Sequence, residues 1–248
     1  MNTKMTTKAQ VEFLTKLQKK KHRDQYHQFL VENPKVVWEE YSSKLLKSVY
    51  VTEVFFKENE DRMVFDNIYI ISNKDLKKIS QQVSPVGMLA LYDMPKTRNF
   101  TFRPPHILLL DNIQDPGNLG TIIRTADWFG FNHVFLSKNC VDAHNSKVVA
   151  ATMGSLFNIQ IHQDQDLVEL IDELKTQKYI VAVTDLAGEK VSLKAKDKIA
   201  LVIGNEARGV SAKIKDLADK HYKILKPGKA ESLNAAVAAG VIMHQIKL

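Results

Sequence analysis

From His106 onward the chain repeats one pattern. A short apolar run, rich in β-branched and aromatic residues, is followed by a stretch with helical spacing. The runs HILLLD (106–111), HVFLS (133–137), FNIQIH (157–162), YIVAVT (179–184), IALVIG (199–204) and KILK (223–226) are candidate strands, and stretches such as DLVELIDELKTQ (166–177) between them are candidate helices. Few folds accept such an alternation. It predicts an α/β fold: a mostly parallel sheet with helices on both faces. In an open sheet of this kind ligands sit at the carboxyl ends of the strands.

The first part of the chain reads differently. The segment DMPKTRNFTFRPP (93–105) carries three prolines and no clear period, and marks a boundary. We expect an N-terminal domain over 1–98, a linker over 99–105 and a second domain over 106–248. Within the first, 8–31 has helical spacing through Val11, Leu14 and Leu17. A second helix is expected after Pro34, with a stripe of Val36, Val37, Tyr41 and Leu45. VYVTEVFF, NIYIIS and VGMLALYD read as strands and DLKKISQQV as a helix. Together they make a small α/β unit behind a basic helix.

Charge is distributed unevenly between the two parts. Residues 1–104 hold 18 Lys and Arg against 12 Asp and Glu, whereas 105–248 hold 17 against 16. The excess is densest in KLQKKKHR (16–23), where Lys19, Lys20, Lys21 and Arg23 are candidate contacts for a polyanion such as RNA. Alternatively, the lysines only solvate a helix face.

Several chemistries lack their signatures. The chain has no GxGxxG, P-loop, GxSxG or HExxH sequence, and its eight histidines form no Cys/His cluster, so no metal is expected. Histidines such as His106 and His133 read as structural. The single Cys140 forms no internal disulfide, suits a reducing cytoplasm and reads as a small buried residue rather than a nucleophile. No apolar run nears the roughly 18 residues of a membrane span, and the polar start MNTKMTTKAQ has no signal-peptide core.

Three strand-end loops are rich in polar residues and glycine: DNIQDPGNLG (111–120), GNEARGVS (204–211) and KPGKAESLN (226–234). After the first, Leu119, Ile122, Ile123, Ala126 and Phe129 recur as the buried face of a helix. Arg124 falls on the side of Gly117, Gly120 and Asp127, either facing a ligand or paired with Asp127 at i, i+3. In the second loop Glu206 stands between glycines, where it either orients a polar group or is solvated in a plain turn. In the third, Ser232 or Glu231 is placed to cap the helix LNAAVAAGVIMHQI, with the polar Asn234 on its first turn.

Taken in order, DPGNLGTIIRTAD, LVIGNEARGVS and ILKPGKAESLNAAVAAG resemble the three motifs of the SpoU (TrmH-like) RNA 2′-O-ribose methyltransferases of the SPOUT superfamily. SKVVAATMGSLFNI, with Gly154 and Ser155, resembles a segment between them. The likeness is strong over 104–248. It is weaker over the N-terminal half, which is similar to the family's ribosomal-protein-like substrate-binding domain. There KLQKKKHRDQYHQFLVE matches the usual opening, except that Asn33 replaces a glycine.

The resemblance implies a parallel sheet threaded as a deep trefoil knot, although knots are otherwise rare. It implies S-adenosylmethionine as cofactor, a homodimer whose active site uses both subunits, and RNA as substrate, rRNA before tRNA. It also leaves open an inactive RNA-binding or ribosome-assembly protein of the same fold. Matched by position, Arg124, Asn118, Glu206, Ser232 and Asn234 are the implied catalytic group. Gly204, Ile224, Lys226, Leu233 and Thr184 are the implied cofactor contacts, largely through backbone. Leu225 and Lys226 depart from the family's Ile-Pro-Met phrase, and Ala150 stands where many members carry a basic residue.

Overall fold

The computed structural model describes residues 3–96, 100–190 and 196–247. Residues 97–99, which include the first residue of the expected linker, lie outside them. The chain forms two compact units. One comprises Met1–Lys96 with His144–Gly154, the other Thr97–Ala143 with Ser155–Leu248. Residues 144–154, expected in the second domain, therefore pack with the first unit.

The first unit runs β1 (Thr3–Met5), α1 (Lys8–Lys16), α2 (Lys20–Tyr26), β2 (Gln28–Val31), α3 (Pro34–Glu39), β3 (Leu46–Val51), α4 (Glu53–Glu58), β4 (Ile68–Ile70), α5 (Asn73–Ile79) and β5 (Met88–Asp93). Its sheet has the order β1-β4-β3-β5-β2 and is mixed: β3 pairs parallel with β4 and antiparallel with β5. Leu14, Leu17, Leu76, Ile79 and Leu89 join its core.

Three expectations are corrected here. Helix does not continue to residue 31. Thr7 caps α1, α2 ends on His27 in the left-handed conformation, and Gln28–Val31 pairs antiparallel with β5. Burying Phe29, Leu30 and Val31 in the sheet overrides the helical spacing of the preceding residues. In VYVTEVFF the strand stops at Val51, because the Thr52 side chain accepts a bond from the Phe55 N–H and starts α4. Past Pro34, α3 ends at Glu39, which leaves Tyr41 exposed instead of on a buried stripe.

In chain order the remaining elements are β6 (His106–Asp111), α6 (Pro116–Trp128), β7 (His133–Ser137), α7 (Ser146–Thr152), β8 (Gln160–Gln165), α8 (Leu167–Thr176), β9 (Ile180–Lys190), β10 (Ile199–Gly204), α9 (Ala212–Leu217), β11 (Lys220–Lys223) and α10 (Ala235–Lys247). All but α7 belong to the second unit. Its sheet has the order β11-β9-β10-β6-β7-β8, and every pairing is parallel. The last strand begins earlier than KILK suggested, at Lys220.

The central strands β6 and β10 are buried along their whole length, as a sheet covered on both faces requires. Ile107, Leu109, Val181, Val183, Ala200 and Val202 meet Leu167, Ile171, Leu174 and Ile214 of α8 and α9. The alternate side chains of β10 point the other way, where α10 packs against β10 and α6. Asp115 caps α6 by accepting from the Asn118 N–H at 2.7 Å, and Pro116 fills the first turn.

Candidate active site

Gly204 at the end of β10 lies in register with Asp111 at the end of β6, so the first and second loops leave the sheet side by side. The second loop folds straight back on its own strand. Asn205 and Gly209 exchange backbone bonds of 3.1 and 2.8 Å, and the Asn205 side chain accepts from the N–H groups of Ala207 and Arg208. A Cβ at Gly204 would lie 2.2 Å from Gly209 C and Val210 N, so only glycine fits there. Asp111, 4% exposed, accepts from the Ser211 N–H at 2.8 Å and from Asn112 Nδ2 at 3.1 Å. Asn205 Nδ2 in turn donates to the Asn112 carbonyl at 3.0 Å. Asp111, Asn112 and Asn205 thus lock the two loops together. Sequence reasoning missed them as site residues, and their only signal was polarity at a strand end.

A second set of bonds joins all three loops. Asn118 Nδ2 donates to Glu206 Oε1 at 2.5 Å, and Asn234 Nδ2 donates to Asn118 Oδ1 at 2.8 Å. Asn118 is thus used on both sides of its amide, between a carboxylate from the second loop and an amide from the third. Asn234 also caps α10, its Oδ1 accepting from the N–H groups of Ala236 and Val237. This corrects the expectation for Ser232. Helix begins at Ala235, so the residue able to reach the first free N–H groups is Asn234. Ser232 is exposed and makes no side-chain hydrogen bond among the described residues.

Arg124 is not part of this chain. It sits six residues past Asn118 on α6, about 120° round the helix. It is exposed, and among the described residues it has no hydrogen-bond or ion-pair partner. The pairing with Asp127 does not form, because Asp127 accepts from Asn158 Nδ2 at 3.0 Å instead. Trp128, one turn on from Arg124, is 86% exposed, and Val237 of the neighbouring α10 is 53% exposed. At Gly240 an added Cβ would lie 3.5 Å from Thr125 Cγ2, so α10 comes close to α6 there.

Thr184 lies just past the β9–β10 pairing and donates to the Val202 carbonyl at 3.5 Å. Residues 225–233 form neither helix nor strand, and among the described residues none of their N–H groups donates to another backbone carbonyl. Ile224 is half-buried, and Lys226 and Leu233 are exposed. Cys140 donates its thiol to the Leu110 carbonyl at 3.2 Å, and burial pushes its pKa up, which makes it a poor nucleophile. His133 of β7 and His162 of the edge strand β8 stack on each other.

In the first unit Lys19, Lys20 and Lys21 are exposed, with Lys20 paired to Asp24 at 3.0 Å. The expectation for Arg23 is corrected. It is 4% exposed and donates from one guanidinium nitrogen to the Leu17 and Gln18 carbonyls, both at 2.8 Å, closing the end of α1.

The family model described as the SpoU rRNA Methylase family matches residues 105–244. The chain belongs to that family. A model described as an MRM3-like substrate binding domain matches residues 8–90. The 23S rRNA (guanosine(2553)-2'-O)-methyltransferase RlmP of Bacillus subtilis is 33% identical over 94% of this chain and 93% of its own length. A TrmH-family structure from Porphyromonas gingivalis superposes with a TM-score of 0.85 at 30% identity, over 98% of each chain. An AdoMet-bound rRNA methyltransferase from Sinorhizobium meliloti gives 0.81 at 28% identity, over 98% of this chain and 96% of its own. In this SpoU chain all three polar strand-end loops lie within the matched segment. Among the described residues no helix is long and apolar enough to cross a membrane, and no three His, Cys, Asp or Glu residues gather as a metal site.

Proposed function

We propose that this protein transfers a methyl group from S-adenosylmethionine to a ribose 2′-OH of RNA, with large-subunit rRNA as substrate. The observation that carries the reading is the hydrogen-bonded chain Glu206–Asn118–Asn234, which ties the ends of separate elements into one polar cluster. The B. subtilis relative, matched over nearly its whole length, favours rRNA over tRNA. We place the protein in the cytoplasm and divide it into a substrate-binding domain over 1–98, a linker over 99–105 and a methyltransferase domain over 106–248, of which residues 144–154 group with the first unit. The match of residues 105–244 to the SpoU family supports a knotted C-terminal domain of the SPOUT type.

The residues present suit the cofactor. The strand end at Gly204, Thr184 and the unpaired backbone of 225–233 offer donors and acceptors for adenine and the amino-acid tail, and Ile224 and Leu233 offer apolar surface. S-adenosylmethionine supplies an electrophilic methyl carbon on a sulfonium. The chain's part is to hold the 2′-OH in line with that carbon, and such orientation removes roughly 7–11 kcal/mol of barrier. Glu206 fixes the Asn118 amide, Asn118 fixes Asn234, and Ser232 stands free to meet the ligand.

Arg124 holds the target phosphate and stabilises the developing alkoxide, while the proton leaves to water or a neighbouring group. A guanidinium stays protonated in proteins and so is a poor base. Arg124, exposed, without a partner among the described residues and about 120° round α6 from Asn118, supports a site completed in a homodimer, with Arg124 acting on the partner's cluster. The exposed Trp128 beside it supports that arrangement.

The test is titration calorimetry with S-adenosylmethionine, followed by tritiated methyl transfer to unmodified rRNA and tRNA pools. Cofactor binding with incorporation into rRNA is the expected outcome. Incorporation into tRNA alone would change the substrate. Absence of binding at millimolar cofactor would leave an RNA-binding or assembly protein.

A further inference from the structure

The lysine-rich segment of the first unit holds more than charge. Tyr26, the last residue of α2, is 41% exposed. Its ring stacks with His22, one turn earlier, at a centroid distance of 6.4 Å and an interplanar angle of 23°. Phe13 of α1 meets Tyr26 edge-on at 5.0 Å and 75°. Phe13 itself packs on the core of this unit, so the exposed ring is braced from beneath.

Cations flank these rings in the chain. Lys19 is the N-cap residue from which α2 starts, one turn before His22, and His22 and Tyr26 lie one turn apart on α2. Lys16 follows Phe13 by one turn on α1, and Lys16 and Lys19 are both exposed. Neither forms an ion pair among the described residues, whereas Lys20 is engaged by Asp24. An open aromatic face beside free ammonium groups matches an unpaired nucleotide: the base stacks on the ring and the flanking phosphates meet the lysines. Phosphate contacts alone would need no aromatic ring, and a purely apolar partner would not need the lysines.

We propose that Tyr26 and His22 form a stacking platform for an unpaired base of the RNA substrate, with Lys16 and Lys19 holding the adjoining phosphates. This rests on the reading of the chain as an RNA-binding enzyme and names where its first unit grips a single-stranded part of that RNA. Stacking tolerates any base, so the platform supplies affinity and register rather than sequence choice.

The test uses the full chain and two labelled RNA decamers, one of adenosines and one abasic, followed by fluorescence anisotropy. The wild-type chain is expected to favour the adenosine decamer by about tenfold. Tyr26→Leu, which keeps apolar packing on Phe13, is expected to lose that preference, and Tyr26→Phe to keep it. Replacing Lys16 and Lys19 by alanine is expected to weaken both decamers by equal factors. Thermal melts establish that each variant is folded, and calorimetry that each binds S-adenosylmethionine as before. Equal wild-type affinity for the two decamers, no binding of either, or an intact preference in Tyr26→Leu would overturn the platform. These outcomes are separable from failure of the enzyme reading. A chain that methylates rRNA without base preference loses only the platform, whereas one that prefers adenosine yet transfers no methyl loses only the catalysis.

Discussion

The two units hold their polar residues in opposite ways. In the second, Glu206, Asn118 and Asn234 hold one another at 2.5 and 2.8 Å, and Asp111 and Asn205 fasten the loops beneath them. In the first, Lys21 reaches into solvent from a seven-residue helix and Lys19 from its N-cap. The one cation sunk into that region, Arg23, is spent on the Leu17 and Gln18 carbonyls. Methyl transfer depends on geometry fixed to a fraction of an ångström, whereas attraction to a polyanion depends mainly on the number of charges. A fixed cluster should therefore fail sharply when one member is changed, and a loose one should fail gradually.

The largest effect is expected at Gly204. A Cβ there meets backbone atoms at 2.2 Å, and backbone cannot rotate aside. Gly204→Ala should lower stability by roughly 3 kcal/mol or more and displace the second loop. Denaturant unfolding checks the first effect and calorimetry with S-adenosylmethionine the second. A stable Gly204→Ala chain with normal cofactor binding would mean that the loop is not held as described.

Next is Asn118→Ala. It removes two hydrogen bonds, one to a carboxylate, worth about 2–3 kcal/mol together. If the cluster exists to position reactants, that appears as a fall of about a hundredfold in the methyl-transfer rate. Single-turnover assays separate this from binding. A rate within threefold of wild type would make the cluster merely structural.

Arg124→Lys sharpens the same comparison, since Arg124 belongs to neither pattern: it is exposed like the lysines yet placed in the catalytic unit. A planar, bidentate contact to phosphate should lose tenfold or more with lysine, at unchanged cofactor affinity. Near-full activity would reduce Arg124 to one more charge.

The contrast between fixed and loose groups also explains what could be read in advance. The all-parallel sheet was legible because β6 and β10 are unbroken apolar runs, and burial on both faces leaves such runs little choice. The loops of Asn118, Glu206 and Asn234 were legible as polar strand ends and through the family resemblance, but their mutual bonds were not, since they join residues 88 and 116 positions apart. The first unit was harder to read. Its strands are short, β2 follows directly on a helix, and its pairing partner β5 lies some sixty residues on. Arg23 shows the limit most plainly: by sequence it is one cation in a run of them, and only the helix end beneath it decides that it points inward.

Arg23 and its neighbours yield a smaller, graded prediction. Replacing Lys19 and Lys21 by alanine should weaken RNA binding and reduce the salt dependence by roughly 0.7 in log–log slope for each lysine. Lys20→Ala should do less, because Asp24 already neutralises that charge. Arg23→Ala should leave the slope unchanged and lower the melting temperature instead, as it abandons two carbonyls at the end of α1. Anisotropy titrations at several salt concentrations, with a melt of each variant, separate the two behaviours. A slope that falls equally for all four residues would erase the distinction between buried and free cations.

The smallest effect near neutral pH is expected from the histidine pair at the edge of the second sheet. His162 is 5% exposed, stacks on Phe135 at 4.3 Å and has its Nε2 3.2 Å from His133 Nδ1. Burial, with a smaller contribution from His133, pushes the His162 pKa down to about 4, and burial alone lowers that of His133. Both rings are therefore neutral in the folded chain at pH 7, while in the unfolded chain they take up protons from about pH 6.5 downward. The unfolded state binds more protons between those values, so stability is complete above about pH 6.5 and falls as the pH drops toward 4. Melts from pH 8 to pH 4.5 should be flat at first and then decline, and His162→Phe should flatten the decline. The acid-side loss should leave the Asn118 cluster untouched wherever the chain is still folded, so cofactor affinity at pH 6 should match that at pH 7.5. A parallel drop in affinity would place the sensitivity in the three loops rather than in the sheet that carries them.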